Sequence, residues 1–202
     1  MIKEESFENE LARFSSLDTE KIKAAHAWAE ELHKGSLRAS GEATVTHPER
    51  VAAILAAMGM DVDSVIGGLL HQAVEDGLIK CKMVEERFGE RAASLVEELS
   101  KMSSLKAKNK TIQAAETIRK MLFAMTRDIR VIIIKLADKL DNMRTLKWLP
   151  EADRKRIAAE CLDIFAPLAN RLGISWMKDE FEDLALKEIN REAFDQIKLL
   201  VA

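Results

Sequence analysis

Glycine and proline are scarce in this chain, 8 and 3 among 202 residues, while the helix formers Ala, Leu, Lys, Glu and Met dominate. With so few breakers an all-α fold is expected. Cysteine is nearly absent. Cys81 and Cys161 are too few and too far apart for a disulfide framework or a zinc-finger spacing, so both are expected to be reduced thiols in a cytosolic compartment. Basic charge is not in excess either: 31 Lys and Arg face 34 Asp and Glu, for a net charge of −3. No basic footprint for nucleic acid results. No apolar run approaches the roughly 20 residues that span a bilayer. The start, Met-Ile-Lys-Glu-Glu-Ser, has no apolar stretch of the signal-peptide kind. Strand alternation, low-complexity tracts and repeats of fixed period are also missing.

What remains is a globular composition, 48% hydrophobic and 32% charged. Its length suits one large domain or two small ones. Helix signals follow one another without a linker, so a single domain of about ten helices over 1–202 is expected. Asp18 is placed to cap a helix carrying Ile22, Ala25, Ala29 and Leu32 on one face and stopping near Gly35. A polar loop spans 35–45. Thr46-His47-Pro48-Glu49 has the capping-box form, and its helix runs to Gly59. Asp61 can cap the next helix, which carries His71 through Asp76 and ends at Gly77. Further helices are expected to about Phe88, over 90–101, 111–126, 128–147, 151–171 and 174–187, with 102–110 a polar loop and Asn190 capping a last helix. Phe165, Trp176, Phe181 and Phe194 are expected to pack as core.

The chemistry concentrates in three places: His47-Pro48, His71-Gln72 followed by Glu75-Asp76, and the run from Ile132 to Leu146 that contains Asp138 and Asn142. Two imidazoles and a carboxylate suit a divalent ion such as Mn²⁺, Fe²⁺ or Zn²⁺. Such an ion makes hydroxide available near neutral pH. Glu75 lies one turn beyond His71, where a carboxylate could orient water or accept its proton. A histidine at a helix start is also commonly a capping or core residue. Asp138 is harder to read that way, because a buried carboxylate without a partner is costly. Spacing alone leaves both readings open.

Longer motifs carry a resemblance. Leu69-Leu70-His71, Val74-Glu75-Asp76 and Lys135-Leu-Ala-Asp-Lys-Leu-Asp-Asn-Met-Arg-Thr-Leu146 resemble the hydrolase domain of the RelA/SpoT alarmone synthetase–hydrolase family, within the HD phosphohydrolase superfamily. His33-Lys-Gly-Ser-Leu-Arg-Ala-Ser-Gly-Glu42 is similar to that family's H-x-G-Q-x-R-K-S-G-E, and Thr46-His47-Pro48 to its T-H-P. Ala115-Glu116-Thr-Ile-Arg119-Lys120 and Asp128-Ile-Arg130 resemble the run before its aspartate helix, and Ala166-Pro-Leu-Ala-Asn-Arg-Leu-Gly173 its A-P-L-A-x-R-L-G. The match covers about 10–200 in order.

The resemblance implies an HD-domain helical bundle with Mn²⁺-dependent 3′-pyrophosphohydrolase activity on guanosine tetra- and pentaphosphate, releasing pyrophosphate and GDP or GTP. It implies His47, His71 and Asp138 as metal ligands, and Glu75 and Asp76 as the catalytic pair. Arg38 would lie on the guanine base, Ser40 near substrate and Asn142 by the ribose. Arg144 matches in identity and reads as an ion-pair or structural residue. The family's synthetase domain is not expected in this chain, and a homodimer is compatible with it.

Four positions depart from the pattern. Gln72 replaces the aspartate of the His-Asp pair, Ala39 a lysine, Thr44 a tyrosine and Asp141 a histidine. Gln72 is a neutral, weaker donor and should loosen the metal site; Ala39 removes a phosphate contact. Three readings follow. The chain is an active or weakened alarmone hydrolase, a catalytically inactive pseudo-hydrolase that binds nucleotide or regulates a partner, or an HD phosphohydrolase for another nucleotide, which Ala39 and Thr44 motivate.

Overall fold

A computed structural model describes residues 7–103 and 127–201. Of the loop expected at 102–110, residues 102–103 belong instead to the end of a helix; the rest of it, the helix at 111–126 and the Ala115–Lys120 motif lie outside the described residues. Among the described residues every regular element is helical, as the composition predicts. The one extended pairing there is an isolated antiparallel bridge between Leu37 and Ala43. The α-helices are α1 (Phe7–Glu10), α2 (Ser16–Leu32), α3 (Thr46–Ala57), α4 (Val62–Glu75), α5 (Cys81–Phe88), α6 (Glu90–Ser103), α7 (Ile129–Arg144), α8 (Glu151–Glu160), α9 (Ala166–Arg171), α10 (Ser175–Ile189) and α11 (Arg191–Val201). They fall into an N-terminal unit ending at Asp138 and a C-terminal unit beginning at Lys139, so the division lies within α7.

Several boundaries are set by the expected residues. Asp61 accepts from the Ser64 amide at 2.9 Å and starts α4. Gly77 follows that helix with φ +74°, a conformation that costs glycine nothing. Asn190 accepts from the Ala193 amide at 3.1 Å and starts α11.

Two starts differ. Ser15, not Asp18, caps α2: its hydroxyl oxygen accepts from the Asp18 amide at 3.2 Å and donates to the Asp18 carboxylate at 2.7 Å. The cap lies three residues earlier, and Asp18 is its reciprocal partner. The capping box at Thr46–Glu49 does not form. Thr46 Oγ1 donates to the Ala43 carbonyl at 2.8 Å, and the Glu49 carboxylate turns to His26, 2.5 Å away on α2. A cross-helix partner outcompetes the local one.

The core of the N-terminal unit is built from α2 (Ile22, Ala25, Trp28, Ala29), α3 (Val51, Leu55), α4 (Val65, Ile66, Leu69, Leu70), α6 (Leu95, Leu99) and the first half of α7 (Val131, Ile132, Ile134, Leu136), all buried. Burial of such side chains is worth about 1.5–3 kcal/mol each. Two adjacent glycines let α4 approach its neighbours. A Cβ on Gly68 would sit 2.7 Å from Leu55 Cδ1 on α3, and one on Gly67 would sit 3.3 Å from Ile134 Cδ1 on α7. The close approach of these three helices is therefore written at 67–68.

Arg130 pins the opposite end of the α4–α7 pair. Its guanidinium contacts the carboxylates of Asp128 (2.6 Å), at the start of α7, and Asp61 (2.5 Å), at the start of α4. Both carboxyls are held below the usual range: burial opposes the shift at Asp61 but is outweighed by bonds from Ser64 and Arg130, and the hydrogen bond from Arg130 leads at Asp128.

In the C-terminal unit α8 runs through a π-helical stretch (Cys161–Phe165) into α9. Pro167 has no amide hydrogen to return, and the Ala166 amide bonds back to the Cys161 carbonyl, five residues earlier. Phe165, Met177, Phe181 and Ala185 are buried, with the two phenylalanine rings 6.4 Å apart. Trp176 and Phe194, expected in the core, are only half-buried. Met177 and Phe181 fill the inward face of α10 instead. Arg144 forms a paired contact with Glu180 (2.6 and 3.0 Å), the ion-pair role read for it.

Candidate metal centre

His47 lies in the first turn of α3, His71 in the last turn of α4 and Asp138 midway along α7. All three side chains are buried. His47 Nε2 is 3.2 Å and His71 Nε2 3.9 Å from the same oxygen, Asp138 Oδ1. The two rings stand edge to face with centroids 5.6 Å apart. The ligand atoms of the three residues all fall within 4.8 Å of one another, a spacing one ion could bridge.

The supporting contacts set chemical states. His71 Nδ1 donates to the Gly68 carbonyl at 2.8 Å, which leaves the Nε2 lone pair facing Asp138. Burial pushes the His71 pKa down, so the ring is neutral, the form that binds metals. Asp138 is the reverse case. Burial alone would raise its carboxyl, but the Lys135 ammonium and the hydrogen bond from His47 outweigh that and hold it well below the usual carboxylate range. Lys135 Nζ is 2.7 Å from Asp138 Oδ2 and 3.8 Å from Glu75 Oε1. It answers the question of what compensates a carboxylate in an apolar helix. In the sequence Lys135 stands out only as the start of a motif, and its i, i+3 spacing from Asp138 is the signal that marks it.

Gln72 Oε1 is buried and has no hydrogen-bond partner among the described residues. An unsatisfied buried carbonyl costs about 1–3 kcal/mol. A neutral oxygen in search of an electropositive partner, beside His71, fits a cation better than it fits a closed hydrophobic core. Donor set and orphaned oxygen together suit a divalent ion.

Glu75 and Asp76 are exposed at the end of α4, Asp76 being its C-cap. His33, directly after α2, is buried, and its Nε2 has no partner among the described residues; burial lowers its pKa, Asp76 opposing and His47 reinforcing the shift. Arg38 and Ser40 lie in the loop between α2 and α3. The Arg38 amide bonds to the Glu42 carbonyl at 2.9 Å, and Ser40 Oγ donates to the Glu42 carboxylate at 3.1 Å. Thr44 does not face outward from that loop: it is buried, its hydroxyl donating to Ser36 Oγ at 2.8 Å. Asn142 lies one turn beyond Asp138 on α7, in the C-terminal unit.

Fold and site define a class: an all-α protein in which three helices gather two histidines and an aspartate into a candidate divalent-metal centre. The chain belongs to the HD domain family, which residues 25–175 match. HD domains bind divalent metals. The chain is 46% identical over 180 residues to the GTP pyrophosphokinase of Myxococcus xanthus, covering 88% of this chain and 24% of that protein. It is 44% identical over 181 residues to the bifunctional (p)ppGpp synthase/hydrolase SpoT of Escherichia coli K12, covering 90% of this chain and 26% of that protein. The chain thus spans about a quarter of the length of these curated relatives. The solved structure of a metazoan SpoT ortholog that hydrolyses ppGpp superposes with a TM-score of 0.57 at 24% identity, covering 86% of this chain and 95% of that one; it bears on the fold alone. The lmo0812 structure from Listeria monocytogenes EGD-e gives a TM-score of 0.52 at 26% identity, covering 71% of this chain and 98% of that one.

Proposed function

We propose that this chain is a (p)ppGpp 3′-pyrophosphohydrolase domain, with guanosine tetra- or pentaphosphate as substrate and pyrophosphate as product. The observation that carries the reading is the convergence of His47 Nε2 and His71 Nε2 on Asp138 Oδ1, in a chain 44% identical to a SpoT synthase/hydrolase. The HD family match runs from 25 to 175, across the division between the two units, which supports one functional domain. Two free cysteines agree with a reducing cytoplasm. No helix among the described residues is long and apolar enough to cross a membrane.

His47, His71 and Asp138 would hold the ion, Mn²⁺ by resemblance, with the Gln72 carbonyl as a further neutral donor. When bound, that ion supplies a lowered pKa for its water and charge neutralisation at the 3′-phosphoryl groups. The remaining work falls to side chains. Glu75 accepts the proton of the attacking water, and Asp76 orients it. Lys135 holds Asp138 Oδ2 and thereby directs Oδ1 toward the histidines. Arg38 offers a planar cation to the guanine base, and Ser40 and Asn142 bond the substrate.

Gln72 favours a second reading, a pseudo-hydrolase that retains nucleotide binding without turnover. A third, another nucleotide as substrate, loses one motive because Thr44 is buried against Ser36; Ala39 remains exposed.

Pyrophosphate release from guanosine tetraphosphate with added Mn²⁺ tests the reading, with free phosphate read separately. Pyrophosphate release abolished by His71→Ala supports hydrolysis. Nucleotide binding without release supports the pseudo-hydrolase, and phosphate as the product sinks the alarmone reading.

A further inference from the structure

We propose that His26, Glu30 and Glu49 form a second divalent-cation site, suited to Zn²⁺, that ties α2 to the first turn of α3. None of these residues belongs to the His47–His71–Asp138 cluster, and the proposal does not rest on the hydrolase reading. His26 and Glu30 are four residues apart on α2 and share a face. Glu49 reaches across from α3. His26 Nε2 is 2.5 Å from Glu49 Oε1, and Nδ1 is 3.8 Å from Glu30 Oε2. One ligand atom from each residue falls within 4.8 Å of the others.

The donor chemistry selects the ion class. Glu49 faces Nε2 and Glu30 faces Nδ1, so an ion takes one ring nitrogen and a turn of one glutamate side chain brings the second carboxylate to it. That mixed N/O set binds Zn²⁺ more tightly than Mn²⁺. The side chains are 22% (His26), 30% (Glu49) and 56% (Glu30) exposed, so water can complete the coordination. The His26 ring also lies against Phe7, with ring centroids 5.2 Å apart.

Charge favours a cation over a simple ion pair. Three carboxylates bear on the ring: Glu49 on α3, Glu30 on α2 and Glu8 on α1. A single proton on the imidazole offsets one of them. A partly exposed ion pair of this kind contributes little, whereas a divalent ion neutralises two carboxylates and bonds the ring nitrogen directly. Glu49 is two residues beyond His47 in the same turn. An ion at this second site therefore stiffens the segment that carries a ligand of the first.

Zn²⁺ stoichiometry by calorimetry and elemental analysis, on the wild-type chain and on His26→Gln, Glu30→Gln and His71→Ala, tests this. The expected result is one metal equivalent fewer in His26→Gln and the same loss or a clear weakening in Glu30→Gln. Glu30 is exposed, so its variant guards against loss through misfolding, checked by circular dichroism. Equal stoichiometry and affinity in the wild type, His26→Gln and Glu30→Gln would overturn the proposal. His71→Ala reports on the first site separately. A wild type that binds one ion, lost in His26→Gln but not in His71→Ala, leaves the second site standing and the hydrolase reading fallen.

Discussion

Lys135 Nζ lies 2.7 Å from Asp138 Oδ2, on the side of the carboxylate away from the oxygen that His47 and His71 share. One carboxylate is thus divided between an ammonium and two imidazoles, and its orientation is fixed from both sides.

Lys135→Met removes the cation and leaves a buried carboxylate without its charge partner. The side chains are 18% and 9% exposed, so the loss should be that of a buried pair, roughly 3 kcal/mol. Urea unfolding at pH 7 reads it. A change below about 1 kcal/mol, the worth of a surface pair, would show that Lys135 is not the group that stabilises Asp138. Lys135→Arg should recover part of the loss.

Gln72→Asp places a charged donor where a buried neutral oxygen has no partner among the described residues. Without metal this variant should be less stable than the wild type, because it adds a second carboxylate near Asp138. With Mn²⁺ the order should reverse, and affinity should rise by about an order of magnitude, the scale on which ligand charge tunes such sites. Calorimetric titration and thermal unfolding with and without metal give both signs. Unchanged affinity would mean that Gln72 does not reach the ion.

The parts of the fold that were legible in the sequence are those fixed by local chemistry. Asp61 and Asn190 cap as read, and Gly59 and Gly77 end their helices with positive φ. The cluster of His47, His71 and Asp138 was readable because its residues lie in distinctive motifs. What was not legible depends on partners distant in sequence. Thr46–Glu49 satisfies the capping-box pattern, yet Glu49 belongs to His26, 23 residues away. The close approach at Gly67 and Gly68 has no local signature in an apolar helix. Thr44 looked like a loop residue open to substrate, but Ser36 draws it inward.

Acid should weaken the fold well before the carboxylates titrate. Burial lowers the pKa of His71 and of His33 below the ordinary 6.5. As pH falls past 6.5 the unfolded chain takes up these protons first, so the stability both contribute is complete above that value and is lost below it. His26 acts in the opposite sense: the hydrogen bond to Glu49 raises its pKa, so its contribution is present at low pH and fades as pH rises through the raised value. Among these three histidines, two against one predict that metal-free protein loses stability from pH 7 to pH 5, with a slope of at most about 1.4 kcal/mol per pH unit for each net proton. Urea unfolding across that range should also find a shallower slope in His71→Gln and a steeper one in His26→Gln. Stability that is flat or rises toward pH 5 would contradict the neutral, buried state of His71.

Gly68→Ala separates helix propensity from site geometry. Alanine favours a helix interior over glycine by about 1 kcal/mol. Here its methyl would sit 2.7 Å from Leu55 Cδ1 and 3.3 Å from Val51 Cγ1, and both of those side chains are fully buried with nowhere to swing. Overpacking of this kind costs about 1–3 kcal/mol, so the net effect should be destabilising. The site feels the same wedge. His71 is one turn after Gly68, and His47 is one turn before Val51, so pushing α4 from α3 separates the two imidazoles. Metal affinity should therefore fall in Gly68→Ala. It should fall less in Gly67→Ala, whose tightest neighbour is Ile134 Cδ1 at 3.3 Å. Adding Leu55→Ala to Gly68→Ala opens the space the methyl needs and should recover metal affinity even as it lowers stability. If affinity instead follows stability through all three variants, the glycine serves packing alone and does not set the distance between the two histidines.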